Sequence, residues 1–230
     1  MNKAVFWDFD GTLVNSVSLW SNSLLCALKE CWPECPCALE DVRPHLRTGF
    51  PWHTPQADLS NVKGEAWWDF MHKHFEHVCL ALGAAPAAAY QAARKVRSVL
   101  LEPGNYTLYE DTHAALQAAA GLGFSQYVVS NNHPDLKQMI DTLGLNTYFS
   151  GVIVSGEIGF DKPRKEIYDD ALAMAGHPDL CYMIGDNPYA DGEGANNAGI
   201  TPLIVHQKKP VVEFLCFDTL LDAVSHIQEV

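Results

Sequence analysis

The sequence predicts an α/β fold: a parallel five-stranded sheet with helices on both faces, and a purely helical segment inserted into it. After residue 101, short apolar runs alternate with helical periods, which is typical of a parallel sheet covered on both faces. One more apolar run, residues 4–7, stands near the start of the chain, and residues 16–101 show only helical periods. We therefore expect a core built from residues 1–15 and 102–230, with residues 16–101 as an inserted α-helical domain.

The predicted elements are bounded by residues that start and stop them. Pro86, Pro134 and Pro163 open helices, because the N–H that proline lacks is not needed in a first turn. The predicted strands are residues 4–7, 126–129, 152–154, 180–184 and 203–205. The predicted helices are residues 17–31, 67–82, 86–100, 114–120, 134–143, 163–175 and 190–198. Residues 43–62, with three prolines, are predicted to form a loop.

Composition narrows the range of functions. Hydrophobic residues make up 48% of the 230, enough for a packed core. The formal net charge of -13 argues against a nucleic-acid polymer or an anionic membrane as partner. No apolar run has the length of a membrane span, and no charged start leads into a signal-like run. We expect a soluble cytoplasmic protein acting on a small molecule, and the sequence indicates no particular oligomeric state.

The seven cysteines do not indicate a disulfide framework, since their number is odd. Four of them, Cys26, Cys31, Cys35 and Cys37, lie close together in sequence. Thiolates bind zinc well, but the paired C-x-x-C spacing typical of structural zinc sites is missing. Two interpretations stay open, a metal site and, more in keeping with the spacing, reduced thiols at the end of a helix.

Two carboxylates mark the end of the first predicted strand. Asp8 and Asp10 follow the apolar run 4–7 directly, at the kind of position where α/β folds bind ligands. Packing does not explain the pair, because an unpaired buried carboxylate is costly. One of the two can attack an electrophile while the other moves a proton, and both can help to hold a hard cation such as Mg²⁺.

Further polar residues stand at other predicted strand ends and beside a predicted helix. Ser130 and Asn131 follow the strand at 126–129, Asp186 follows the strand at 180–184, and Lys162 precedes the helix at 163–175. Because the carboxyl ends of parallel strands meet at one edge of a sheet, we expect these side chains to converge with Asp8 and Asp10. Acids, a hydroxyl, an amide and one cation suit a phosphoryl group held with a divalent metal.

The chain resembles the haloacid dehalogenase superfamily, in its phosphatase branch with a helical cap inserted after the first motif. The resemblance covers nearly the whole chain and implies a Rossmann-like core, with residues 16–101 as the cap domain. The motifs that carry it are Asp8-Phe9-Asp10-Gly11-Thr12-Leu13, Val129-Ser130-Asn131, Lys162-Pro163, Gly185-Asp186-x4-Asp191 and Gly194-Ala195-Asn196-Asn197-Ala198-Gly199.

The resemblance also implies roles for single residues. Asp8 would be the nucleophile that forms an aspartyl-phosphate, and Asp10 the general acid and then the general base. Lys162 would be both a catalytic and a phosphate-binding residue. The other predicted phosphate-binding residues are Thr12, Ser130 and Asn131. The predicted Mg²⁺ ligands are Asp8, the Asp10 carbonyl and Asp186, with Asp191 behind them.

An acid at Asp10 favours a phosphatase over a dehalogenase, because an alkoxide leaving group needs a proton and a halide does not. We therefore expect a Mg²⁺-dependent phosphatase of a small phosphomonoester. A sugar-phosphate phosphomutase with the same covalent chemistry stays open, as does a non-catalytic binding protein on this fold. Selectivity is expected in the loop 43–53, which mixes cations and aromatic residues, with Arg47 and His53 as the candidate residues.

Overall fold

The computed structural model describes residues 1–207 and 212–228. The strands are β1 (Lys3–Trp7), β2 (Val14–Asn15), β3 (Thr107–Leu108), β4 (Ser125–Ser130), β5 (Gly151–Val154), β6 (Leu180–Gly185), β7 (Thr201–Val205) and β8 (Leu215–Phe217). The helices are α1 (Leu19–Cys31), α2 (Leu39–Val42), α3 (Glu65–Ala81), α4 (Pro86–Leu100), α5 (Thr112–Gly121), α6 (Leu136–Thr142), α7 (Ser155–Ile158), α8 (Lys165–Met174), α9 (Gly194–Asn197) and α10 (Leu220–Gln228). Shorter turns are 3₁₀ at Arg43–Leu46, Pro51–His53, Pro103–Asn105 and Asn146–Tyr148, and π-helical at Pro188–Glu193.

Six strands form the main sheet, in the order β5-β4-β1-β6-β7-β8, and every pair is parallel. The α/β prediction is confirmed, and the predicted count of five strands is one too low. The additional strand is β8, which pairs with β7 at the edge of the sheet. Its three residues are all exposed or half-buried, and the short apolar run at 214–217 that contains them is not among the predicted strands.

The sheet is covered on both faces, as the two hydrophobic clusters on either side of β1 show. Successive side chains of a strand point to opposite faces. Ala4 and Phe6 pack into one cluster together with α8, while Val5 and Trp7 belong to the other, which continues into the helices between residues 19 and 100. This double burial explains why β1 has an unbroken apolar sequence rather than an alternating one.

The helices α1, α3 and α4 pack on one another, where the sequence predicts helices. Between α1 and α3 the predicted loop 43–62 is interrupted by two 3₁₀ turns, and the short helix α2 lies just before it. The antiparallel pair of β2 and β3 brings together the two ends of this helical segment, a feature too short to leave a pattern in the sequence. No helix in the described parts of the chain combines the length and apolar character needed to cross a membrane.

Asp135 joins the helical segment to the sheet-forming part of the chain. It lies at the start of α6, and one carboxylate oxygen accepts hydrogen bonds from the Trp68 indole of α3 (2.7 Å) and from Nε of Arg97 of α4 (3.1 Å). Its other oxygen accepts a hydrogen bond from Nη2 of Arg97 at 2.7 Å. A single side chain therefore links α3 and α4 to α6.

Candidate active site

Asp8 lies just beyond the carboxyl end of β1, in the centre of the sheet. It is buried, and its oxygen Oδ1 accepts hydrogen bonds from the Ser130 hydroxyl and from the Lys162 ammonium, both at 2.9 Å. Two donors on one oxygen fix the plane of the carboxylate. The other oxygen, Oδ2, receives no hydrogen bond from any residue that the structure describes.

Lys162 is buried and uses all three of its N–H donors. Besides Asp8, its Nζ donates to Oδ1 of Asp191 at 2.6 Å and to the carbonyl oxygen of Val129 at 2.8 Å. Asn131 holds the same residue by its backbone, accepting from the Lys162 N–H at 2.6 Å and donating to its carbonyl at 2.9 Å. The helix α8 begins three residues after Lys162, later than the sequence suggests, so Lys162 lies in a loop.

The side chain of Asp10 has a different hydrogen-bond partner from those of Asp8. Its oxygen Oδ2 accepts a hydrogen bond from the side-chain amide of Asn132 at 3.0 Å, and its other oxygen is buried without a partner among the described residues. Burial and the neighbouring Asp8 carboxylate raise the pKa of Asp10 to about 7, against the hydrogen bond from Asn132, which lowers it. A carboxyl with such a pKa can both give and take a proton near neutral pH.

Three carboxylates form a compact group beside this pair. Asp8, Asp186 and Asp191 each offer one oxygen within 4.8 Å of the others, the only such group of potential metal ligands among the described residues. Burial raises the pKa of Asp186, and the charges of Asp8 and Asp191 raise it further. A Cβ atom on Gly11 would lie 2.6 Å from a carboxylate oxygen of Asp186, so glycine is needed for this carboxylate to lie against the loop after β1.

A cavity of about 260 Å³ opens onto these groups. Five of the residues that line it are predicted site residues: Asp8, Asp10, Asn131, Lys162 and Asp186. The sequence analysis did not single out the others, which are Ser16, Trp20, Trp52, Asn187 and Ala190. Ser130 and Asp191 are fully buried and contact Asp8 and Lys162 rather than the cavity. The structure does not bring the Thr12 side chain to the cavity; its hydroxyl is buried with no partner among the described residues.

A second cavity of about 230 Å³ adjoins the first, because Ser16, Trp20 and Trp52 line both. His53 lines this second cavity, as does Arg43, whereas Arg47 is exposed and lines neither. The sequence offers two arginines four residues apart in a loop and no signal that distinguishes them. A larger cavity of about 540 Å³ lies between α1 and α4 and contains none of the predicted site residues.

Asn132, Trp20 and Arg43 are residues that the sequence analysis missed. Asn132 adjoins the second motif, and a side chain two residues beyond a strand could have been included in the candidate set. For Trp20 and Arg43 the sequence holds no comparable signal. The cysteines of residues 26–37 contribute to no metal-ligand group among the described residues, and none of these four is in a disulfide.

Several named proteins are similar in sequence to this chain. The chain is 38% identical to the pyrimidine 5'-nucleotidase YjjG of Escherichia coli (strain K12) over 158 residues, 62% of this chain and 67% of that protein. It is 27% identical to a glyceraldehyde 3-phosphate phosphatase of Methanopyrus kandleri over 217 residues, 91% of this chain and 86% of the relative. A phosphoserine phosphatase of Thermus thermophilus is 33% identical over 133 residues, 57% of this chain but only 52% of the relative's length.

Solved structures agree on the fold. The HAD-hydrolase YfnB of Bacillus subtilis superposes with a TM-score of 0.78 at 17% identity, covering 100% of this chain and 99% of that one. The family model for haloacid dehalogenase-like hydrolases matches residues 2–199. The chain therefore belongs to the haloacid dehalogenase-like hydrolase family, in its phosphatase branch, and is a hydrolase.

Proposed function

We propose that this protein is a Mg²⁺-dependent phosphatase that hydrolyses a small phosphomonoester through a phosphoryl group carried on Asp8. The observation that carries the proposal is the contrast between the two acids of the first motif. Asp8 has one oxygen held by two donors and the other without a hydrogen bond, whereas Asp10 has its pKa raised to about 7. A nucleophile and a proton carrier are what the hydrolysis of a phosphate ester needs.

In the proposed reaction, Oδ2 of Asp8 attacks phosphorus and the bond between phosphorus and the leaving oxygen breaks. Asp10 donates its proton to that oxygen, so that an alcohol leaves rather than an alkoxide. Asp10, now ionised, takes a proton from water as the water attacks the aspartyl-phosphate, which releases phosphate and restores Asp8. The pKa of about 7 supports both halves of this cycle at the same pH.

The donor set fits Mg²⁺. The ion prefers oxygen ligands at about 2.0–2.1 Å in octahedral geometry, so two ligands on opposite sides lie about 4 Å apart. One oxygen of each of Asp8, Asp186 and Asp191 lies within 4.8 Å of the others, close enough for a single cation to lie among them. Both oxygens of Asp191 already accept hydrogen bonds, from Lys162 and from the Asn187 N–H. In keeping with the resemblance described above, we assign direct ligation to Asp8 and Asp186, with the Asp10 carbonyl, and a supporting place to Asp191.

When bound, Mg²⁺ supplies positive charge that offsets the carboxylates and the phosphoryl oxygens. Lys162 also offsets part of this negative charge, because its ammonium lies between Asp8 and Asp191. With all its donors engaged, Lys162 reaches a phosphoryl oxygen only by exchanging one of these contacts. Its main role in the proposal is therefore to hold the Asp8 carboxylate in its orientation, while Asn131 keeps the Lys162 backbone in place.

The named relatives support the reaction class without fixing the substrate. Their names give three unlike leaving groups, serine, glyceraldehyde and a pyrimidine nucleoside. What these three substrates share is a phosphomonoester. The proposal therefore assigns the chain the chemistry common to them, and the leaving group has to be argued from this chain's own cavities.

Phosphate release from a panel of small phosphomonoesters tests the proposal. We expect turnover with Mg²⁺, none in excess chelator, and recovery when Mg²⁺ is added back. Asp8→Asn should lower the rate by at least about a thousandfold, equivalent to about 4 kcal/mol of transition-state stabilisation. Asp169→Asn makes the same change at an exposed carboxylate of α8 and should have no effect. Full turnover in chelator, or an active Asp8→Asn variant, would contradict the assignment.

A further inference from the structure

We propose that the second cavity, defined by Ser16, Ser18, Leu19, Trp20, Ser21, Arg43, Leu46, Phe50, Trp52 and His53, holds a planar heteroaromatic ring bearing carbonyl oxygens. The substrate class that fits the two adjoining cavities is then a pyrimidine nucleoside 5'-monophosphate. The inference rests on the proposed phosphatase activity and adds the identity of the leaving group to it.

The two adjoining cavities together have the volume of a typical small-molecule site, so one substrate can span both. Sites for small molecules usually have volumes of about 300–1,000 Å³, and the cavities measure only about 260 and 230 Å³. They meet at a wall formed by Ser16, Trp20 and Trp52. A phosphoryl group at Asp8 therefore leaves the second cavity for the remote part of the leaving group, with a spacer at the shared wall.

Aromatic side chains dominate one side of the second cavity. The rings of Phe50 and Trp52 stack with centroids 4.6 Å apart and planes 18° apart, and the Trp20 ring meets Phe50 edge-on at 5.0 Å. Trp20 is held in place by the rings of Trp67 and Phe75 behind it. A fixed aromatic wall offers a flat ring an apolar contact surface, which an open sugar or an amino acid cannot use as well.

Arg43 supplies the polar contact that selects among flat rings. Its Nε and Nη2 donate to the Ser18 hydroxyl, the former at 3.1 Å, which ties the guanidinium to the start of α1. The nearest acid is Glu40, an exposed residue 3.7 Å from Nη1. Arginine has five N–H donors, so donors remain for a ligand.

The charge of the second cavity also favours a ring that bears carbonyl oxygens. Among the described residues that line it, Arg43 and His53 are the only titratable ones, and no carboxylate is present. Acceptor groups such as the carbonyl oxygens of a pyrimidine ring complement this lining. Adenine, which has no carbonyl group and a larger ring system, fits the same walls less well.

The order of groups along the substrate follows from the shared wall. A ring attached directly next to the phosphate would remain in the first cavity, beside Asp8 and Asp186. A spacer of the size of a pentose carries the ring past Trp20 and Trp52 into the second cavity. This geometry favours a nucleoside 5'-monophosphate over pyridoxal phosphate, whose ring is one carbon away from the phosphate oxygen.

The wild-type protein with Mg²⁺ gives the first test. We expect kcat/KM for uridine 5'-monophosphate to exceed that for ribose 5-phosphate by about 10- to 100-fold, the contribution expected of one stacked base. Adenosine 5'-monophosphate and pyridoxal phosphate should be poorer substrates than uridine 5'-monophosphate. Ribose 5-phosphate carries the same phosphate and sugar, so only the base differs. Equal kcat/KM values for the two compounds would overturn the inference and leave the phosphatase proposal intact.

Variants locate the effect in the second cavity. Arg43→Met should reduce the ratio of uridine 5'-monophosphate to ribose 5-phosphate by about tenfold, whereas Arg47→Met, the same change four residues away outside both cavities, should preserve it. If Arg47→Met lowered the ratio as much as Arg43→Met, the assignment to this cavity would be wrong.

A binding measurement keeps the inference testable without turnover. Calorimetry on the Asp8→Asn variant should give a lower Kd for uridine 5'-monophosphate than for ribose 5-phosphate, by the same 10- to 100-fold. If no ester in the panel released phosphate, the proposed function alone would be refuted. Equal Kd values would refute the assignment of the base site.

Discussion

Replacing Asp135 with alanine should destabilise the protein far more than an ordinary surface substitution. The carboxylate accepts three hydrogen bonds, one from Trp68 and two from Arg97, and its side chain is only 15% exposed. Without it, the indole N–H of the fully buried Trp68 loses its partner, which costs about 1–3 kcal/mol. Loss of the partly buried ion pair with Arg97 adds to this, and we expect a total of about 2–4 kcal/mol.

Glu65 provides a matched control for this substitution. It contacts the same arginine, with both oxygens 3.0 Å from Nη1 of Arg97, but its side chain is 79% exposed. Exposed ion pairs contribute about 0–1 kcal/mol because water and salt screen them. Glu65→Ala should therefore lower the free energy of unfolding by less than about 1 kcal/mol.

Urea unfolding at pH 7 measures both variants against the wild type, with Trp fluorescence and circular dichroism recorded on the same samples. His133 does not complicate the comparison, since burial lowers its pKa to about 4 and the ring is neutral at this pH. Equal losses for Asp135→Ala and Glu65→Ala would refute the reasoning, because burial would then have no bearing on the value of the contact. A loss below 1 kcal/mol for Asp135→Ala would do the same.

Two further predictions concern Asp10. Asp10→Asn should lower kcat/KM for alkyl phosphates by about 10²–10⁴-fold, the usual range for a general acid, and should affect aryl phosphates less, because their leaving groups are stable anions. Equal losses for both kinds of ester would assign Asp10 a structural role. Asn132→Ala removes a hydrogen bond that favours the ionised form of Asp10, so the protonated acid should persist to higher pH. The alkaline limb of kcat/KM for an alkyl ester should move up by about 1–2 pH units, since such a bond is worth about 1.5–3 kcal/mol and one pKa unit is 1.36 kcal/mol. Bound Mg²⁺ affects wild type and variant alike, so the comparison between them is the result, and a limb that moves down would contradict the prediction.

The sequence predicts which of the candidate residues lie close together, because sheet topology brings them to one edge. Asp8, Ser130 and Asp186 each stand at the carboxyl end of a strand, and the parallel order β4-β1-β6 places these three strands side by side. An apolar run followed by a polar residue is sufficient to find each of them. The convergence then needs no knowledge of how any loop is folded.

The sequence is less informative where an element is short or where tertiary packing decides its geometry. The edge strand β8 has three residues and no buried side chain, and the predicted helix at 190–198 is a π-helical turn, Pro188–Glu193, followed by the short α9. In that turn the side chain of Asn187 accepts two backbone N–H groups, those of Tyr189 and Ala190. Helical periodicity alone cannot distinguish such a turn from an α-helix.

The sequence also cannot show which of Arg43 and Arg47 lines the second cavity. Both lie in a loop with aromatic residues, and the composition of that loop favours neither. Both arginines are exposed, but the 3₁₀ turn Arg43–Leu46 and the contact with Ser18 bring Arg43 to the cavity, while Arg47, just beyond the turn, lines neither cavity. A contact across 25 residues of chain decides which arginine can meet a substrate.

In the proposed function, reaction and selectivity depend on different parts of the chain. Apart from Ser16, Trp20 and Trp52, the residues lining the catalytic cavity come from loops that follow strands or precede α8. The second cavity is built entirely from residues 16–53. Substitutions in that segment can change the leaving group without moving Asp8, Asp10 or Lys162. Relatives named for three different substrates are compatible with this division, and the leaving group of this chain is best sought in the contacts of Arg43 and the aromatic wall beside it.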